Sequence, residues 1–148
     1  MRIQSVCLLL VLVSAAALSR DVEKKESIKE RYDKFINQHI NENMSDKRCD
    51  AEIRKRKISF DNKMCKPKNT FIRASNVTVK SVCMGEGEPY NGQTRSTEHF
   101  DIVVCELKKN KGKYPNCHYN GKTLNRRIII KCEIFPVHYE GDIDYFEN

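Results

Sequence analysis

Apolar positions along the chain fall into three regimes. After Met1-Arg2, an unbroken apolar run from Val6 to Val13 ends in the small residues Ser14 to Ala17. A charged start, a short apolar middle and a small-residue end have the form of a secretory signal peptide. Cleavage is expected between Ala17 and Val22, with the leader drawn at residues 1–19. The run is too short to span a hydrocarbon core of ~30 Å. From Asp21 to Gln38, charged residues surround Ile28, Tyr32, Phe35 and Ile36, spaced four, three and one apart, as on one helix face. His39 follows Tyr32 by seven and Phe35 by four, so it shares that face and points toward the body of the protein. Two shorter helices are expected. One covers 47–57, with Asp46 as candidate N-cap. The other covers 75–84 and stops before Gly85, although Val77, Thr78 and Val79 are poor helix formers. The second half reads as strands. Residues 100–107 are apolar-rich and run into a Lys/Asn/Gly turn at 108–113. Segments 114–119 and 126–135 flank Asn120-Gly121, a favoured turn pair, and 136–146 form a last strand and tail. Helices early and strands late predict an α+β fold in one domain, residues 20–148.

Removal of the leader leaves about 128 residues, enough for one domain but with a limited core. Cysteine supplies the missing constraint. Of seven cysteines, Cys7 lies in the leader, leaving Cys49, Cys65, Cys83, Cys105, Cys117 and Cys132. An even number in an oxidising compartment reads as three disulfides, which the count alone allows in fifteen pairings. The absence of any Cys-x-x-Cys pair argues against zinc. The formal net charge of +7 falls by one with Arg2, and by one more if Arg20 is also removed. Such a surplus suits a polyanion: RNA, heparan-type glycans or an anionic membrane.

Candidate chemistry lies in three separated strings: Gln38-His39-Ile40, Cys65-Lys66-Pro67-Lys68-Asn69-Thr70-Phe71 and Phe135-Pro136-Val137-His138-Tyr139. They supply two imidazoles, a lysine, amides and a threonine beside aromatics. RNA carries a 2′-hydroxyl beside each phosphate, and DNA does not. One imidazole can take that proton while another protonates the leaving 5′-oxygen. A fixed cation stabilises the charge that develops between them. By spacing alone, His39 reads first as a satisfied core histidine. His99 and His118 read as ordinary strand or surface residues.

In the order of these strings and the cysteines between them, the chain resembles the secreted pancreatic-type ribonucleases, and its three-bridge cysteine set resembles angiogenin-like members. The resemblance implies a V-shaped α+β fold with three helices and a twisted antiparallel sheet. It implies the pairs Cys49–Cys105, Cys65–Cys117 and Cys83–Cys132, with no metal or other cofactor. It makes His39 the general base, His138 the general acid and Lys66 the transition-state cation. Gln38, the backbone N–H of Tyr139 and the outlying Lys34 become phosphate contacts. Thr70, with Asn69 and Phe71 beside it, becomes the reader of a pyrimidine, its hydroxyl able to donate or accept. Gln93, in Asn91-Gly92-Gln93-Thr94, and Glu133 become contacts to the downstream base. The expected reaction is cleavage of single-stranded RNA 3′ of pyrimidines through a 2′,3′-cyclic phosphate.

Some positions depart from that pattern. Glu140 stands where an aspartate orients the acid histidine. The tail continues as Tyr139-Glu140-Gly141-Asp142-Ile143-Asp144-Tyr145-Phe146, with Asp142 near the place where angiogenins obstruct the pyrimidine pocket. Residues 20–30 are an added charged segment. Arg54-Lys55-Arg56-Lys57 lies where angiogenins carry a basic nuclear-entry motif. On a helix its cations point several ways, so solvated charge is the competing reading. The expected protein is a secreted monomer, with possible partners in glycans, anionic membranes and a ribonuclease inhibitor, and nuclear uptake if the basic run acts. The alternative is a cationic angiogenic or antibacterial factor with dispensable catalysis. Asn43 and Asn76 each begin an Asn-x-Ser/Thr glycosylation sequence.

Overall fold

The computed structural model describes residues 26–143, so the expected leader, residues 20–25 and residues 144–148 lie outside it. Helix α1 is Ile28–His39, α2 Cys49–Lys55 and α3 Asn76–Ser81. The strands are β1 Lys68–Ile72, β2 Gly87–Tyr90, β3 Gln93–Ser96, β4 Phe100–Lys113, β5 Asn116–Glu133 and β6 Phe135–Ile143. The observed fold is thus the expected α+β type, with every strand pair antiparallel.

Strand β5 organises the molecule. Its first part, Asn116 to Arg126, pairs with β4, and β4 pairs in turn with β1. Its second part, Arg127 to Glu133, pairs with β6, while Ile129 and Ile130 pair with β3. One strand therefore serves both arms. Two cores lie on opposite faces of the β1–β4 ladder. Phe35, Ile72, Val79, Ile102, Val104, Ile128 and Ile130 join α1 and α3 to the sheet. Met44, Ile53, Ile58, Phe71, Val103, Cys105 and Tyr119 pack α2 onto the other face. Ile102 and Val104 alternate with Val103 and Cys105 on β4, so this strand feeds both cores, as a period of two requires. The disulfides are Cys49–Cys105, Cys65–Cys117 and Cys83–Cys132, each with Cα atoms 5.6–5.8 Å apart.

Local chemistry sets the helix limits. Ser27 Oγ accepts from Glu30 N–H at 3.1 Å and starts α1. Ser75 Oγ does the same for Thr78 N–H at 3.2 Å and starts α3. A 3₁₀ turn, Val82–Met84, then ends at Gly85, whose φ of 114° favours glycine. The second helix differs from expectation. Asp46 is not its N-cap but opens a 3₁₀ turn, Asp46–Arg48, that precedes α2. Lys57, at φ 56°, lies beyond the helix end.

Two predicted turns are strand. Asn120-Gly121 lies inside β5, opposite Glu106 and Cys105. A Cβ on Gly121 would stand 2.1 Å from the Asp46 carbonyl oxygen, so this glycine admits a close backbone approach rather than a turn. The Asn-Gly hairpin turn is instead Asn91-Gly92 (φ 47° and 77°), between β2 and β3. The 108–113 segment is also strand. Residues 108–111 stand opposite His118 alone, as a bulge, and the chain reverses at Tyr114-Pro115. The last strand is described over Phe135–Ile143, and Pro136 is tolerated because, among the described residues, β6 pairs only with β5.

Candidate active site

The C-terminal turn of α1, the start of β1 and the middle of β6 converge on one cavity of about 260 Å³. Its lining includes Gln38, His39, Lys66, Lys68, Thr70 and His138, with Tyr139 to Asp142 along one wall. A smaller hollow beside it, about 190 Å³, is lined by Lys34, Gln38, His39, Val137 and His138 among others.

His39 sits in the last turn of α1 and is only 8% exposed. Its Nδ1 lies 2.8 Å from the Thr70 carbonyl. A carbonyl only accepts, so Nδ1 carries the proton and Nε2 keeps a free lone pair. Burial pushes this imidazole down to about 3. The Thr70 hydrogen bond opposes that shift, and the charges of Lys66 and His138 add to it. Tyr139 stacks against the same ring, 5.2 Å between centroids. The ring is thereby neutral, oriented and unable to turn away.

Lys66 Nζ donates to Asn69 Oδ1 at 2.8 Å and lies 3.5 Å from Gln38 Oε1. Burial, then the charge of Lys34, lowers its pKa below the ordinary lysine value. Asn69 is itself 1% exposed, and its Nδ2 donates to the Gln38 carbonyl at 2.8 Å. Both ends of the Asn69 amide thus hold the lysine and the helix end, and Asn69 lines the cavity beside Thr70. Thr70 is nearly buried on β1, within reach of Tyr139, whose phenol pKa is raised by burial and by Asp142.

His138 is exposed on β6, and its Nε2 lies 3.0 Å from Glu140 Oε2. The carboxylate accepts, so Nε2 is the donor and Nδ1 is the atom left to pass a proton on. A hydrogen bond from Gln93, and then His138, holds the Glu140 carboxyl below the usual carboxylate range. Asp142 occupies the far wall, where it accepts from Tyr139 Oη at 3.3 Å and faces Arg126 Nε at 3.7 Å.

Several residues singled out in the sequence lie elsewhere. Gln93 does not line the cavity and meets Glu140 instead. Glu133 is ion-paired to Arg31 and to Lys131. Lys34 lines the smaller hollow and faces Glu26 at 4.0 Å. His118 is exposed, with Nδ1 3.4 Å from Asp50. Asn43 is exposed in a turn, and Asn76 is exposed at the start of α3.

The basic run does not act as one surface. Arg54, Lys55 and Lys57 are exposed. Arg56 instead turns inward. Its Nη1 donates to the carbonyls of Asn37 at 2.9 Å and Ile40 at 2.7 Å, and its Nε donates to Glu52 at 2.7 Å. It satisfies the carbonyl end of α1, next to His39, where a cation is favourable. Sequence reasoning also passed over Lys68. Its signal was the i, i+2 spacing from Lys66, which in extended chain repeats a side.

Comparison with known proteins identifies the family and the fold. The pancreatic ribonuclease family model matches residues 30–140. Ribonuclease-like 3 of Danio rerio is 33% identical over 145 residues, 94% of each chain. The angiogenin of Saimiri sciureus is 35% identical over 119 residues, 76% of this chain and 79% of its own. Among solved structures, RNASE ZF-3E aligns with a TM-score of 0.75 at 35% identity, covering 79% of this chain and 99% of its own. Zebrafish RNase5 gives 0.73 at 36%, covering 78% and 98%. With a family match over most of its length and relatives at this identity, the chain belongs to the pancreatic ribonuclease family.

Proposed function

We propose that this chain is a secreted ribonuclease that cuts RNA on the 3′ side of pyrimidines, with residues 1–19 removed as a leader and 20–148 forming the enzyme. The observation that carries the reading is the neutral, buried His39, held with Lys66 and His138 around one cavity.

His39 Nε2 takes the 2′-hydroxyl proton, and the 2′-oxygen attacks the adjacent phosphorus. His138 gives a proton to the departing 5′-oxygen, leaving a 2′,3′-cyclic phosphate. Lys66, with Gln38 and the Tyr139 backbone N–H, stabilises the charge on the phosphoryl oxygens. In a second, slower step the roles reverse and water opens the ring. Thr70 offers a backbone N–H and a hydroxyl to the pyrimidine edge. Glu140 orients the acid imidazole, and Gln93 supports Glu140.

The test is cleavage of an RNA carrying a single pyrimidine by the refolded, oxidised, metal-free mature chain. The expected result is a cyclic-phosphate product, lost by about 10²–10⁴-fold in His39→Ala and in His138→Ala. Equal cutting after purines, or full activity in either variant, would overturn the assignment.

A further inference from the structure

One hydroxyl in the cavity is not used by the acid–base chemistry. The Tyr139 ring stacks on His39, a task that a phenyl ring would perform as well. Its phenol oxygen makes further bonds. Tyr139 Oη donates to Asp142 Oδ2 at 3.3 Å, and Asp142 Oδ1 faces Arg126 Nε at 3.7 Å. The Asp142 backbone is fixed too, opposite the fully buried Ile128 in the β5–β6 ladder. Thr70, 3% exposed on β1, hydrogen-bonds to the same phenol. Tyr139 has one hydroxyl proton, and a carboxylate can only accept it, so Thr70 meets a lone pair and must donate. The acidity of the phenol has the same sense. Burial, then the charge of Asp142 and the bond to it, raise its pKa, whereas the bond with Thr70 lowers it, as a donor to the phenol oxygen does.

The three groups thus form a relay with one direction: Thr70 donates to Tyr139, and Tyr139 donates to Asp142. Committed in this way, the Thr70 hydroxyl has only lone pairs left for a ligand. The Thr70 carbonyl points to His39, away from the partner strand β4, and in extended chain the N–H of the same residue points to the same side. A fixed donor and a fixed acceptor therefore face the cavity together. Uracil presents an acceptor, O2, beside a donor, N3–H. Cytosine presents two acceptors, O2 and N3. We infer that Tyr139 and Asp142 are specificity-determining residues that hold the Thr70 hydroxyl as an acceptor, so that the pyrimidine site selects uracil over cytosine. The inference rests on the ribonuclease reading above and narrows its substrate.

The test compares kcat/KM for two dinucleotides, uridylyl-adenosine and cytidylyl-adenosine, in the parent, Tyr139→Phe and Asp142→Ala. The parent should favour uridine roughly tenfold, since cytosine leaves two acceptors facing each other. Tyr139→Phe keeps the ring and the backbone but frees the Thr70 proton. Asp142→Ala removes the acceptor, so the phenol can turn its own proton toward Thr70. Each variant should bring the ratio to within about threefold of unity, mainly by gain on cytidine, and the double variant should add nothing, because the relay acts as one unit. Binding of 3′-uridylate and 3′-cytidylate is measured by calorimetry on the same proteins and needs no cleavage. An inactive parent would sink the catalytic reading, while the ratio of the two nucleotide affinities would still decide this one. A parent that treats the two bases alike, or a uridine preference that survives both substitutions, would refute the relay. So would a cytidine preference lost only in Asp142→Ala, which would make Asp142 a direct acceptor for the exocyclic amino group.

Discussion

At the residue scale, the fold spends its tightest packing on keeping one imidazole uncharged. A buried His39 that gains a proton must find water or a new acceptor, and the Thr70 carbonyl is neither. The folded chain therefore resists protonation that the unfolded chain accepts. The stability this contributes is fully present above the ordinary imidazole value of ~6.5 and is lost as pH falls from there toward about 3. Urea midpoints taken from pH 7 to pH 4 should decline less in His39→Asn than in the parent. An equal decline would move the effect to other groups. Glu140 presents the opposite case, a carboxylate held ionised so that it can orient His138. Replacing it with Ala should lower kcat roughly fivefold, with KM little changed. A matching rise in KM would mean that Glu140 acts on substrate binding instead.

At the element scale, Arg56 joins the carbonyl end of α1 to Glu52 on α2. Burial would push the Glu52 carboxyl up, but Arg56 and Arg48 outweigh it and hold the group ionised. Arg56→Ala leaves helix carbonyls and a buried carboxylate without their donor, and should cost about 2–4 kcal/mol by urea denaturation. Arg54→Ala and Lys55→Ala, both at exposed sites, should fall within about 0.5 kcal/mol. Equal costs for all three would contradict the separation of Arg56 from its neighbours. The same residue shows where sequence reading stops. The face of α1, including His39, was legible because Tyr32, Phe35 and His39 share a helical period. The inward turn of Arg56 was not, because four adjacent cations carry no mark of which one meets a helix end twenty residues away. Asn120-Gly121 failed for a related reason: its turn chemistry is local, whereas the constraint on Gly121 is the remote Asp46 carbonyl. Cavity membership was legible for Gln38, His39, Lys66, Thr70, His138 and Tyr139, which lie in strings dense in reactive types. Gln93 and Glu133 were placed from isolated matches, and their partners are Glu140 and Arg31.

At the scale of the whole molecule, the C-terminal strand is both wall and cover. Asp142 is drawn into the cavity by Tyr139 and Arg126, and Ile143 still pairs with Arg127 beyond it. Removing residues 143–148 frees the end of β6 next to Asp142. Turnover on a pyrimidine dinucleotide should rise, and unchanged kinetics would exclude obstruction by the tail. A different consequence follows from β5. Because its backbone belongs to both arms, neither arm can open its ladder without disturbing a strand the other needs. Amide exchange along this chain should reflect that shared ownership. Protons at Leu124, Ile128 and Ile130 should exchange with one common, maximal protection as pH and denaturant vary, set by global unfolding, while the ends of β4 and β6 fray earlier.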